Sequence, residues 1–146
     1  MIIKGKKRFQ LFNIKREFFL FQKLIKYLGR AISAFKKFKN LFSPIQIGPM
    51  TVKNRFVVPP MGNNFANSDG TWSDESVAYY GERAKGQFGL ITIEATVVHK
   101  GAKGGPKKPC LYDDNSIESL KKITDACHAE GAKVSIQLQN AGPEGN

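Results

Sequence analysis

The stretch Arg55-Phe56-Val57-Val58-Pro59-Pro60-Met61-Gly62 has the residue types best suited to present a ligand site. A basic Lys-Asn-Arg step leads into three apolar residues, two of them β-branched, as in a short buried strand. Pro59-Pro60 then ends the hydrogen-bonded ladder, and Met61-Gly62 follows with exposed, tightly constrained backbone. In α/β folds the C-terminal end of a strand is where ligands bind. Other reactive side chains offer less. Cys110 and Cys127 form no CxxC or Cys/His metal spacing and read as two reduced cytoplasmic thiols. A zinc site would need ligands that are not there, so no metal is expected. His99 and His128 stand alone and read as surface residues. The loop with Gly101, Gly104, Gly105, Pro106 and Pro109 matches neither a Walker pattern nor GxGxxG, so no nucleotide-phosphate cradle is read there.

The elements that would position this stretch follow a regular order. Leu41 to Arg55 reads as two short strands around a Gly48-Pro49 turn, a hairpin capping a larger body. After the strand at Val57-Val58 comes a polar loop with an Asp69-Gly70 turn. Thr71 and Ser73 are candidate N-caps for a helix that runs through Tyr79, Tyr80 and Arg83 to Gly86. Leu90-Ile91-Thr92-Ile93-Glu94 reads as a second, buried strand. Lys103, Lys107 and Lys108 read as a solvated face. Asp113, Asp114 or Asn115 caps the next helix, with the apolar stripe Ile117, Leu120, Ile123 and Cys127 and a stop at Gly131. Lys133 to Leu138 is the third strand, broken by Ala141-Gly142-Pro143. Strand–helix–strand–helix–strand is the rhythm of parallel βα units with right-handed crossovers. Rhythm alone leaves a (β/α)8 barrel and a doubly wound sheet both open.

Charge separates the chain into two parts. Residues 1–40 hold twelve Lys/Arg against the single Glu17, which accounts for the whole net charge of +11. Residues 41–146 are neutral, so no electrostatic argument for nucleic acid applies to them. The leader carries Phe21, Leu24, Ile25, Leu28, Ile32 and Phe35 on one helical stripe. Its uncharged runs are far below the ~20 residues that span a bilayer. It also lacks the apolar region and cleavage site of a signal peptide. A basic amphipathic helix of this kind suits an anionic membrane surface, docking to a partner, or an upstream extension without a role of its own. The domain boundary is placed near Asn40, giving a leader (1–40) and a body (41–146).

The motifs of the body, taken in order, carry a resemblance. Leu-Phe-Ser-Pro-Ile and Lys-Asn-Arg lie within 41–55, and Pro-Pro-Met-Gly at 59–62. Asp-Gly-Thr and Tyr-Tyr-Gly-Glu-Arg-Ala-Lys-Gly fall within 69–86, and Gly-Leu-Ile-Thr-Ile-Glu-Ala-Thr at 89–96. Tyr-Asp-Asp follows at 112–114 and Gly-Ala-Lys-Val-Ser-Ile-Gln-Leu at 131–138. Together they resemble the N-terminal part of the Old Yellow Enzyme family of NADH:flavin oxidoreductases and ene-reductases. The resemblance implies an α/β fold: part of a TIM (β/α)8 barrel, with about three parallel βα units after a capping hairpin and the basic helix. It implies FMN as cofactor, NAD(P)H as reductant, and a small-molecule substrate with an activated C=C bond.

The positions matching the family's flavin contacts are Pro59, Pro60, Met61, Gly62, Ala95 and Gln137. Met61-Gly62 offers backbone donors without a bulky side chain, and Ala95 is small enough to lie against a flat ring. The Gln137 amide has the donor and acceptor that a pyrimidine edge needs. The chain also departs from the family. Gly62 stands where many relatives have Thr or Cys, Asn64 lies near a substrate-contacting Tyr of some relatives, and Pro143 replaces an Arg. A TIM barrel usually takes ~200 residues or more. The expectation is therefore that the isolated chain is inactive unless the rest of the barrel is supplied, for instance by another chain.

Overall fold

The structure, a computed structural model, describes residues 21–33 and 36–144. The leader reading for residues 1–20 and for Phe35 falls outside them. The chain divides between Lys39 and Asn40 into two compact units. In the first, residues 21–33 are helical (α1) and exposed throughout. A single helical turn, α2 (Lys39–Phe42), precedes the hairpin of the second unit.

β1 (Ile45–Ile47) and β2 (Met50–Val52) pair antiparallel, with Ile47 opposite Met50. The two-residue turn between them holds Gly48 at φ +54°, followed by Pro49 with its fixed negative φ. A positive φ at the first turn residue is what a II′ hairpin requires, and glycine adopts it without strain. Thr51 Oγ1 donates to Gln46 Oε1 across the strands at 2.6 Å.

The main sheet has three strands in the order β3-β4-β5, all parallel. β3 is Val57–Val58, β4 is Leu90–Val97 and β5 is Lys133–Gln139. Helices α3 (Asp74–Lys85) and α4 (Ile117–Ala129) make the crossovers. Ser73 caps α3, its Oγ accepting from the Ser76 amide at 3.2 Å. Thr71 does not cap it; its amide and hydroxyl both donate to Asp69 Oδ1, which holds the Asp69 carboxyl below its usual pKa. Asp113 starts a 3-10 turn, Asp114–Ser116, that runs into α4. The core lies on one face of the sheet, where Val58, Ile91 and Ile93 pack with Tyr80, Ala84, Ile123 and Cys127 of the helices.

Three expectations need correction. β3 is not a buried run: Val58 is in the core, but Val57 points to the other face and is 48% exposed. β4 is not uniformly buried and runs three residues past Glu94, with Leu90 and Thr92 only half-buried. Ile117 is exposed, so the α4 stripe reaches the core only through Leu120, Ile123 and Cys127. In each case strand alternation or the 3-10 lead-in turns the residue away from the helices.

The starts of all three strands are tied together by Lys53-Asn54-Arg55. Lys53 Nζ donates to the Glu130 carbonyl at 2.7 Å, at the end of α4. Asn54 Nδ2 donates to the Gln87 carbonyl at 2.8 Å, and its Oδ1 accepts from the Phe56 amide. The Arg55 amide donates to the Leu41 carbonyl at 2.9 Å. This knot leaves no room at Gly89, where a Cβ would lie 2.6 Å from the Asn54 carbonyl oxygen. Gly89→Ala is therefore expected to cost about 1–3 kcal/mol. Gly62→Ala, whose Cβ would meet nothing closer than the side-chain end of Lys108, Nζ at 3.4 Å, should stay within about 0.5 kcal/mol. Urea unfolding midpoints of the two variants check this, and equal shifts would contradict it.

Candidate functional site

The alternation that sends Ile91 and Ile93 to the helices sends Leu90 and Thr92 to the opposite face of β4. On β5, Val134 and Ile136 pack towards the helices, which places Ser135 and Gln137 beside them on that second face. Thr92 and Ser135 are register partners, and their hydroxyls are 2.9 Å apart. Val57 of β3 joins the same face. It is a mixed polar and apolar surface over which the described residues of the body place no helix.

Pro59-Pro60-Met61-Gly62 leaves the C-terminal end of β3 directly, with Met61 and Gly62 both exposed. Ala95 lies in the C-terminal half of β4, inside an irregularity: Ile93 pairs with Ile136 but Thr96 with Leu138, so β4 carries one extra residue. Gln137 is the β5 residue opposite this bulge. It is exposed, and its amide has no partner among the described residues. Backbone topology thus brings the six predicted residues to the C-terminal portions of three neighbouring strands. Pro60 and Ala95 are half-buried and the other four are exposed. A cavity of about 420 Å³ opens elsewhere, between the N-terminal ends of α3 and α4, and none of the six residues lines it.

Glu94 was not among the residues singled out from sequence, yet it is the centre of this rim. The bulge leaves it fully buried. Its Oε2 accepts from the Asn63 amide at 3.2 Å, and its own amide donates to the Tyr80 hydroxyl at 3.0 Å. Glu94 Oε1 and Asn63 Nδ2 are both buried without a partner. Lys108 is half-buried here, close enough that a Cβ on Gly62 would lie 3.4 Å from its Nζ and 3.7 Å from Glu94 Oε2. Lys108 is therefore no member of a solvated face, whereas Lys107 is exposed and Lys103 Nζ donates to the Ser68 carbonyl in an exposed bond. The available signal was a carboxylate inside an otherwise apolar strand, the residue type least often buried without a partner.

Electrostatics at the rim follow from burial. Desolvation raises the Glu94 carboxyl above the usual range, against the opposing pull of the Asn63 amide and Lys108. Burial also pushes the Tyr80 phenol up to about 12, so it is a neutral hydrogen-bonding group at any ordinary pH. His99 and His128 are exposed, and the His99 Nδ1 is used locally, accepting from the Gly101 amide. Cys110 and Cys127 are free and buried. Among the described residues no group of three His, Cys, Asp or Glu is placed to hold a metal ion.

These features suit a flat, hydrogen-bonding heterocycle. Backbone is accessible at Met61-Gly62, a small side chain sits at Ala95, and an unpartnered amide stands at Gln137. Two buried polar atoms lie without partners just beneath. Residues 40–146 match the NADH:flavin oxidoreductase / NADH oxidase family. Among solved structures, the chain is similar to the Old Yellow Enzyme from Pichia sp. AKU4542, at 37% identity and a TM-score of 0.66, over 69% of this chain and 26% of that one. The old yellow enzyme from Trypanosoma cruzi matches at 37% identity and a TM-score of 0.69, over 75% and 29%. Morphinone reductase matches at 30% identity and a TM-score of 0.67, over 73% and 28%. The chain thus spans between a quarter and a third of the length of these proteins. Its parallel β3-α3-β4-α4-β5 run is part of their TIM-barrel fold.

The raised Glu94 pKa gives a signed pH dependence. A carboxyl whose folded pKa lies above its unfolded value binds more protons when folded, so its contribution to stability is lost as pH rises from about 4.3 through the folded value. Glu94→Gln removes that loss and keeps an acceptor for the Asn63 amide. The melting temperature of the Gln variant relative to the native chain should therefore increase between acid and neutral pH. Parallel melting curves across that range would contradict the assignment.

Proposed function

The chain belongs to the NADH:flavin oxidoreductase / NADH oxidase family, and on that premise we propose that its body is the N-terminal portion of an FMN-dependent, NAD(P)H-driven reductase of activated C=C bonds. When bound, FMN supplies the hydride at N5 that such a reduction needs; the protein orients and tunes. Pro59 and Pro60 end β3 and leave the Met61 and Gly62 amides, which no ladder uses, to meet the cofactor's polar edge. Ala95 admits a ring against β4 because it has only a methyl group. Gln137 can donate and accept along a pyrimidine edge with one side chain. Glu94 fixes the turn that carries these amides, by holding the Asn63 N–H from below. Gly62 leaves out the hydroxyl or thiol that many family members carry at this position, so any tuning from it is absent.

The observation that supports this reading most is the shared rim: three consecutive parallel strands carry the matching residues at their C-terminal portions. Cytoplasmic residence belongs to the same reading, supported by two buried thiols left free. The open sheet face favours a second, non-catalytic reading for the chain by itself. Val57 and Gln137 are uncovered there, and Leu138 is exposed beside Gln137 on β5, whereas a working barrel would close over that face.

Titration of the 146-residue chain with FMN, followed by quenching of flavin fluorescence, checks the reading. Saturable binding is expected, weakened about tenfold by Gln137→Leu through loss of a polar pair. NADH consumption with an enone acceptor is expected to stay at background. Unchanged FMN affinity in the Gln137 variant would overturn the site. Turnover by the chain alone would overturn the non-catalytic reading.

A further inference from the structure

The leader offers a surface that the flavin reading does not use. Phe21, Leu24, Ile25, Leu28 and Ile32 are each between 53% and 58% exposed on α1. At 100° per residue these five fall within an arc of roughly 100°, an unbroken apolar stripe. Lys23, Lys26 and Arg30 fall on the opposite side of the same turns. Large apolar side chains aligned on one face of a helix demand cover, because exposure of each sacrifices the free energy of its burial.

Charge decides what covers them. Residues 1–40 hold twelve Lys/Arg and one acid, and after Glu17 no acidic residue occurs until Asp69. A second copy of α1 would cover the stripe but would bring like charge against like charge. A polynucleotide would meet the charge and leave the stripe bare. Among the described residues no helix is long and apolar enough to cross a membrane. An anionic bilayer surface satisfies both halves of the pattern, taking the stripe among its acyl chains and the basic residues among its headgroups.

We propose that α1 is a peripheral membrane-docking helix that lies in the plane of an anionic phospholipid surface, with Phe21, Leu24, Ile25, Leu28 and Ile32 inserted. The 13 described residues would extend ~20 Å along that plane. The proposal is independent of the flavin site, which lies wholly in the body.

The test is co-sedimentation of the full chain with vesicles of phosphatidylcholine containing about 30% phosphatidylserine, and with phosphatidylcholine alone, at about 0.1 M salt. Binding is expected to the mixed vesicles, at least tenfold weaker to the neutral ones, and reduced severalfold when salt is raised. The double variant Leu24→Glu/Leu28→Glu should lose at least tenfold in binding while retaining FMN affinity, which reports on the body. Lys26→Glu/Arg30→Glu should lose the preference for anionic lipid with the apolar stripe intact. Failure to pellet, or pelleting unchanged in the Leu24/Leu28 variant, would overturn the proposal. So would lipid-independent self-association, seen by sedimentation velocity and abolished by the same variant, since a second copy would then be the occupant.

Discussion

The extra residue in β4 is the constraint on which the rim of this protein depends. Up to Ile93 the strand keeps strict alternation, with alternate side chains in the helix-facing core and the others on the open face. At Glu94-Ala95 the pairing with β5 slips, and by Thr96 it has resumed one residue out of step. A bulge of this kind re-aims side chains at the end of a strand. Here it buries a carboxylate beneath the turn after β3 and sets the smallest side chain of the strand, Ala95, beside it. The same slip lets the Glu94 amide reach the Tyr80 hydroxyl, so the bulge is fastened to α3 as well as to the turn. Without it, the turn at Gly62-Asn63 would lose its support from below.

The two ends of the sheet divide the work. At the N-terminal ends, Lys53 Nζ and Asn54 Nδ2 donate to backbone carbonyls of other segments, Asn54 Oδ1 accepts from the Phe56 amide, and the Arg55 amide donates to the Leu41 carbonyl. That end is cross-tied and close-packed, as Gly89 shows. At the C-terminal ends, Gln137, Glu94 Oε1 and Asn63 Nδ2 keep unmatched hydrogen-bonding capacity. Buried polar atoms are rarely left unpaired in a folded protein. Among the described residues, two of the three such atoms lie at this rim, and the third, Trp72 Nε1, belongs to a residue lining the cavity between α3 and α4. This separates a surface that holds the fold from surfaces that can hold something else. The Lys-Asn-Arg string, met in sequence as part of a resemblance, thus has a structural explanation rather than a chemical one.

Local features were legible where a single residue type dictates them. Gly48-Pro49 announced the hairpin, Ser73 the start of α3, Gly131 the end of α4, and the strand–helix rhythm announced parallel pairing. The resemblance resolved what rhythm left open, that the three strands belong to a barrel. Features set by distant partners were not legible. Nothing in Leu-Ile-Thr-Ile-Glu-Ala-Thr-Val says where β4 gains a residue relative to β5, because register belongs to the pair and not to either strand. Lys108 reads as one of several exposed lysines until the fold brings it to Gly62. Thr71 and Ser73 are equal as caps on paper; the Asp69 carboxylate, by engaging Thr71, leaves the cap to Ser73.

The central claim is that Met61-Gly62, Ala95 and Gln137 meet one face of a single cofactor. Intermolecular nuclear Overhauser effects between FMN and the isotope-labelled chain address it most directly. The account predicts cross-peaks from the isoalloxazine ring to protons at all three positions, with none to residues around the cavity between α3 and α4. Contacts confined to that cavity, or to one strand alone, would contradict it.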